Sequence, residues 1–250
     1  MPEFVSQILE TNGLIWLVAA FATAGVVRGF TGFGTAMIVV PIGAMFLSVA
    51  EMVFLLTVTG LATSATLFPK AWPKAEKTDI LVLCLGAVIT MPLGVSLLVV
   101  LDDATLRWAV IAVIVTLLAC LLTGWRYSGS LGRTGLALVG ASAGIVGGAS
   151  GLTGPVVILF YLAGRGAVET IRANTILFLG FIDFAIVANL VWRDLANWTL
   201  FGLVVVMSVP YVLTTLIGQR FFDPKLDRVY RSVAYCVIGA AAFMSMPVFD

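Results

Sequence analysis

Residues 80–101 contain no charged side chain, and residues 106–123, 175–192 and 198–217 contain at most one each. Runs of this length approach or reach the roughly 20 apolar residues needed to cross a hydrocarbon core of about 30 Å. Lipid offers the backbone no hydrogen-bond partner, so such runs must satisfy themselves as helices. A transmembrane barrel would alternate apolar and polar residues, whereas these runs are apolar on every side. Composition closes the soluble option: 61% of residues are hydrophobic and 11% charged, against roughly 25% charged in soluble domains. The expected fold class is all-α, a polytopic integral membrane protein solvated by the lipid bilayer.

The same residues exclude several functions. A net charge of +1 with no basic, aromatic-interleaved patch argues against a nucleic-acid partner. The chain has no histidine, so a Ser-His dyad and the His-containing zinc motifs are impossible. Ser150 sits in a GASG context, but a Ser-Lys arrangement would need a lysine in the membrane. Lys70, Lys74, Lys77 and Lys225 all fall between the apolar runs. Cys84, Cys120 and Cys236 lie singly in apolar segments without CxxC spacing and read as small buried hydrophobes. The expectation is no enzyme, no metal and no cofactor. Residues 1–12 are acidic rather than basic and no small-residue cleavage site follows, so the first apolar stretch is expected to belong to the mature fold.

An internal repeat organises the chain. Residues 24–34 read AGVVRGFTGFG and residues 143–153 read AGIVGGASGLT, so Gly25, Gly29 and Gly32 fall on Gly144, Gly148 and Gly151 at an offset of 119. Thr31 falls on Ser150. Met91-Pro92 sits opposite Val209-Pro210, and the acidic turn at Asp102-Asp103 opposite the turn at Asp223. Residues 1–127 and 128–250 are thus two repeats forming one transmembrane domain. Each begins with two short apolar runs flanking the glycines (14–27 and 36–49; 134–146 and 155–163), too short to span a bilayer as helices. Three longer segments follow in each repeat, near 51–68, 79–101 and 104–125, then 170–192, 197–218 and 228–247.

Charge decides the topology. If each short pair returns to the side it entered from, Lys70, Lys74, Lys77, Arg126, Arg133, Arg165, Arg172, Arg220, Lys225 and Arg228 share one side. The other side keeps Arg107 and Arg193 with Asp102, Asp103 and Asp194. The positive-inside rule selects this arrangement, although two full crossings per pair would give the same parity. Both termini then face outward and the second repeat is inverted relative to the first. Paired, glycine-interrupted short segments in inverted repeats point to a transporter with its substrate at the midplane.

The chemistry is expected where the breaks converge. Two helix N-termini, near Ala36 and Pro155 with Thr35 and Thr153 as caps, would aim unpaired N–H groups at one place, a site for an anion. The candidate substrate-binding residues are Arg28, Gly29, Thr31, Gly32, Gly34, Thr35, Gly148, Ser150, Gly151, Thr153 and Gly154. Glycines allow close backbone approach, hydroxyls donate to oxyanion oxygens, and Arg28 supplies countercharge. The competing reading of the glycines is close helix packing, and that of Arg28 is snorkelling to an interface. Asp183, the acidic residue deep in the run LFLGFIDFAIVANLVW, is a proton-coupling candidate, because a buried ionisable group in a membrane is costly; it could equally be a protonated structural residue. Asn174 and Asn189 read as interhelical hydrogen-bonding residues, and Glu51 and Glu169 as helix-end charges.

At these residues the sequence resembles the sulfite exporter family TauE/SafE, also described as the 4-toluene sulfonate uptake permease family. The likeness lies in the RGFTGFGTAMIVVP block, the GIVGGASGLTGPVVILFYL block and their spacing. The resemblance implies a bacterial cytoplasmic-membrane transporter for sulfite, thiosulfate or an organosulfonate such as sulfoacetate, in either direction. It places the site at residues 28–35 and 147–155. The sequence also admits a homodimer. Two rivals remain: an anion channel using the same dipoles, which saturable flux and counterflow would exclude, and a membrane subunit supporting a partner complex, which would bind no substrate. No GxxxxGK[ST] pattern occurs, so ATP-driven transport would need a separate ATPase chain.

Overall fold

The structure, a computed structural model, describes residues 11–31, 33–124, 132–161, 168–196, 200–221 and 227–246. Every regular element among them is helical. The first half of the chain holds α1 (Leu14–Thr31), α2 (Thr35–Gly43), α3 (Val49–Ala71, extended by a 3-10 turn at Trp72–Lys74), α4 (Lys77–Val100) and α5 (Asp103–Leu122). The second holds α6 (Arg133–Ser150), α7 (Thr153–Tyr161), α8 (Val168–Trp192), α9 (Phe201–Arg220) and α10 (Asp227–Met244).

Among the described residues, five helical segments are long and apolar enough to cross a membrane: Val49–Lys74, Lys77–Val100, Asp103–Leu122, Ala173–Trp192 and Phe201–Arg220. Sequence reasoning expected six. In α10 the described apolar stretch, Ser232–Met244, is shorter. Large apolar side chains such as Ile89, Val100, Leu138 and Phe184 point outward, as lipid solvation demands. Cys236 joins them and is exposed, and Cys84 and Cys120 are only half-buried, which corrects the expectation of buried thiols. Asn174, as expected, is buried and ties helices together, accepting from the Glu76 N–H at 2.8 Å.

Local chemistry sets the helix ends. Ser48 and Glu51 form a reciprocal capping box at the start of α3, with Glu51 N–H donating to Ser48 Oγ at 3.3 Å and Ser48 N–H to Glu51 Oε2 at 3.0 Å. Glu51 is therefore the helix-end charge that its position suggested. Asp102 caps α5 by accepting from the Thr105 N–H at 2.9 Å, and these hydrogen bonds hold its carboxyl below the ordinary value. The two breaks are made by glycines: Gly34, φ 95°, precedes α2, and Gly151, φ 71°, ends α6. L side chains rarely adopt that left-handed backbone.

The two halves of the chain exchange partners. The first helix of each packs against the fourth of the other: α1 on α9 and α6 on α4. The second of each meets the fifth of the other, α2 with α10 and α7 with α5, while the two third helices, α3 and α8, pack on each other. Glycines set the close approach. A Cβ at Gly29 would lie 2.6 Å from the Thr215 carbonyl, and one at Gly148 would lie 2.6 Å from the Met91 carbonyl. Gly25 meets Thr214, and Gly144 meets Thr90 in the same way. This packing pairs Thr90 with Thr214 and Gly94 with Gly218, a different register from the one that sets Pro92 opposite Pro210. The prolines therefore do not occupy equivalent turns.

The contacts also give helix directions. Gly25 faces Tyr211 and Gly29 faces Thr215 and Gly218, so α1 and α9 run parallel. Gly140 faces Leu83 and Gly148 faces Met91, so α6 and α4 run parallel too. Gly60 faces Asp183 while Gly180 faces Ser64 and Phe68, so α3 and α8 run antiparallel. Arg193, at the end of α8, donates to Ser96 Oγ at 2.9 Å near the end of α4, and Asn174 joins the starts of the same two helices.

Candidate functional site

Each half of the chain opens with a helical hairpin bent at its glycine, α1–α2 and α6–α7, and the two bends meet. A Cβ on Gly154 would lie 3.9 Å from the Phe33 Cβ, and one on Gly151 would contact Leu56 and Val40. Between them is a cavity of about 40 Å³. The first hairpin contributes Arg28, Phe33, Gly34, Thr35 and Ala36, and the second contributes Gly151, Gly154 and Pro155. The packed pair α3–α8 closes it with Leu56, Gly60, Leu179 and Asp183.

Arg28 is buried, 8% exposed, which removes the snorkelling reading. Its Nη1 donates to the Tyr211 hydroxyl at 2.8 Å, and its guanidinium carbon lies 5.8 Å from that ring's centroid. The same hydroxyl shares a hydrogen bond with Thr35 Oγ1 at 2.9 Å. Tyr211 is fully buried and held edge-on to Phe21, with ring centroids 5.8 Å apart. One tyrosine on α9 thus braces a cation and a hydroxyl that both line the cavity. Asp183 faces the same space. Gly60 makes room for it: a Cβ there would lie 2.5 Å from Asp183 Oδ2.

Of the residues singled out in the sequence, Arg28, Gly34, Thr35, Gly151, Gly154 and Asp183 come together around this cavity. Gly29 and Gly148 lie instead against neighbouring helices, at α9 and α4. Ser150 Oγ donates to the Val146 carbonyl at 2.6 Å and accepts from Leu152 N–H at 3.4 Å, so its hydroxyl serves its own bend. Thr153 turns toward Gly147, and its buried Oγ1 has no hydrogen-bond partner among the described residues. Gly32 and the side chain of Thr31 lie outside the described residues. Neither threonine is a helix cap as expected: Gly34 holds the position before α2, with no side-chain hydrogen bond to the helix, and α7 already includes Thr153.

Sequence reasoning missed Tyr211, Gly60, Phe33, Leu56 and Leu179. Tyr211 carried a usable signal, a phenol inside an apolar run whose hydroxyl must find a partner once buried. The others look like ordinary membrane-helix residues and become lining only through packing.

What this arrangement can do follows from its donors. A buried guanidinium, a threonine hydroxyl, the Asp183 carboxyl and two helix starts, α2 and α7, surround a space that holds about three waters; the donors suit a small anion, and the carboxyl, when charged, opposes one. No curated protein and no solved structure matches the chain, so the geometry stands on this chain's own residues. The family model described as Sulfite exporter TauE/SafE matches residues 17–245. That match spans the cavity between the hairpins and the five membrane-length helices, and it places the protein in a family of membrane transporters of sulfur anions. The chain belongs to the TauE/SafE sulfite exporter family.

Proposed function

We propose that the chain carries a small sulfur oxyanion or sulfonate by alternating access, with the anion held in the cavity between the two bends. The observation that carries this reading is the cavity itself: both glycine bends, two helix starts and a buried arginine share one space near Asp183. With Tyr211 accepting from Arg28, its own proton can go to Thr35 Oγ1. The Thr35 hydrogen is then left for a bound oxyanion. The volume of about 40 Å³ suits sulfite better than sulfoacetate in this conformation. Thr153 and Ser150 belong to the supporting bend rather than the first contact with substrate.

The reading of residues 1–127 and 128–250 as inverted repeats draws support from the helix directions. Corresponding helices α3 and α8 run antiparallel, and each opening helix runs parallel to the fourth helix of the other repeat. Lys70, Lys74, Lys77, Arg133 and Arg220 lie at the end that the positive-inside rule makes cytoplasmic. Both termini then face outward from the cytoplasmic membrane, and each hairpin returns to the side it entered from. One hairpin rocking against the other would expose the cavity alternately. Asp183 competes with the anion for Arg28, so its protonation accompanies anion binding.

Thermal unfolding of the detergent-purified protein with sulfite, thiosulfate, sulfate, sulfoacetate, taurine and simple carboxylates tests the reading. A ligand at 100 times its dissociation constant adds about 2.7 kcal/mol to the native state. Stabilisation selective for one sulfur anion and lost in Arg28→Ala supports the site. Folded, monodisperse protein that responds to none of them would favour a supporting subunit instead.

A further inference from the structure

A second polar pocket lies at the lysine-bearing end of α3, apart from the cavity between the bends. It has a volume of about 270 Å³ and is lined by Lys70 and Lys74 from α3 and its following turn, Ala173 and Ile176 from α8, and Gln219 from α9. Lys70 and Lys74 are both exposed. The three elements that form this pocket also lead to the cavity, each by a single face.

On α3, Gly60 lines the cavity and Leu67 and Lys74 line the pocket, with Ser64 between them. Steps of three and four residues keep positions 60, 64, 67 and 70 on one helical face, and Lys74 follows in the 3-10 turn. On α8, Asp183 lines the cavity and Ile176 the pocket, with Gly180 between. On α9, Tyr211 braces Arg28 and Gln219 lines the pocket, with Thr215 between. The seam is shut where α3 meets α8: a Cβ on Gly180 would lie 3.2 Å from Ser64 Cβ and 3.1 Å from Phe68 Cε2.

Ser64 is the independent sign that this seam handles something polar. It is 2% exposed, and its hydroxyl has no hydrogen-bond partner among the described residues. Neighbouring hydroxyls on the same helix, those of Thr57, Thr59 and Thr63, each donate to a backbone carbonyl of the preceding turn. That is the ordinary way to satisfy a hydroxyl in a membrane helix. Ser64 forgoes it at the one place between two polar spaces.

We propose that the Lys70–Lys74 pocket is a second station for the same class of small anion, joined to the cavity along the α3–α8–α9 seam and closed here where Ser64 meets Gly180. The proposal rests on the reading of the cavity as an anion site. The two lysines concentrate the anion at this face, and the Ser64 hydroxyl donates to it as the seam parts.

The test uses full-length protein in proteoliposomes, with radiolabelled sulfite presented from each face in turn. In a Lys70→Gln/Lys74→Gln variant, KM from the lysine-bearing face rises about tenfold while kcat holds, and the ionic-strength dependence of uptake from that face flattens. KM from the opposite face is unchanged, and Lys70→Arg/Lys74→Arg restores wild-type behaviour. Ser64→Ala, a smaller residue at a packed contact, slows flux in both directions without weakening Arg28-dependent sulfite binding. Wild-type KM and salt dependence in the glutamine variant, with Arg28-dependent binding intact, overturn the second station and leave the central site standing. Absence of Arg28-dependent sulfite binding in the wild-type background overturns the central reading and this inference with it.

Discussion

Arg28, near the end of α1, donates to the hydroxyl of Tyr211 in the middle of α9 at 2.8 Å, a hydrogen bond between residues 183 positions apart. It couples the first hairpin to a helix in the other half of the chain and fixes the guanidinium at the cavity wall. Tyr211→Phe keeps the ring against Phe21 and removes this brace together with the hydroxyl's hydrogen bond to Thr35. Hydrogen bonds involving a charged group are worth about 1.5–3 kcal/mol, so sulfite affinity is expected to fall about tenfold or more. Isothermal titration measures it; unchanged affinity would mean that Arg28 holds its position without Tyr211.

Asp183 shares the cavity with Arg28, while Tyr211 braces the arginine from α9. A charged carboxylate there opposes an incoming anion, so sulfur-anion affinity should strengthen as pH falls in the wild type. Asp183→Asn removes the titrating group and should leave affinity nearly flat from pH 5.5 to 8, an interval chosen as roughly the range where stability tends to be greatest. Sulfate, fully ionised across that interval, is the ligand that separates this effect from titration of sulfite itself. A pH dependence that survives in Asp183→Asn would remove this residue from proton coupling.

Gly29 and Gly148 approach backbone atoms of α9 and α4, where no flexible side chain can yield. Gly29→Ala and Gly148→Ala should each destabilise the fold by about 1–3 kcal/mol through overpacking. Anion affinity per folded molecule should hold. Thermal unfolding and binding measured on the same preparations separate the two effects, and a stable variant with lost binding would return these glycines to the site.

Asp102 caps α5 outside the apolar segment, and its hydrogen bonds to Thr105 hold its carboxyl below the ordinary 3.8. A carboxyl lowered in the folded state stabilises above its unfolded value and loses that contribution as pH falls through the folded one. Acidification below about pH 4 should therefore weaken the wild type at this cap, and Asp102→Asn should lack that component of the acid response. Thermal unfolding between pH 3 and pH 6, bracketing the ordinary carboxylate range of about 4, reads the difference.

Much of this protein is legible along the chain. Long runs without charge dictate membrane helices because lipid cannot satisfy a bare backbone, and the glycine blocks mark the two bends because only glycine readily takes the left-handed backbone found at Gly34 and Gly151. Arg28 and Asp183 stand out because ionisable groups in apolar runs are costly. Local chemistry also marks Glu51 as a helix-end residue. These are properties of neighbours in sequence.

Tertiary structure alone decided which helices meet. The exchange of partners between the two halves of the chain turns Gly29 and Gly148 into packing contacts and brings Gly60 against Asp183, although nothing local distinguishes these glycines from Gly34 or Gly151. It also gives Arg28 its partner in Tyr211, far along the chain. Hydropathy is nearly uniform around such helices, so it carries little information about which face meets which neighbour. Close van der Waals packing and the pairing of buried polar groups make that choice in lipid, where the hydrophobic effect no longer sorts the faces.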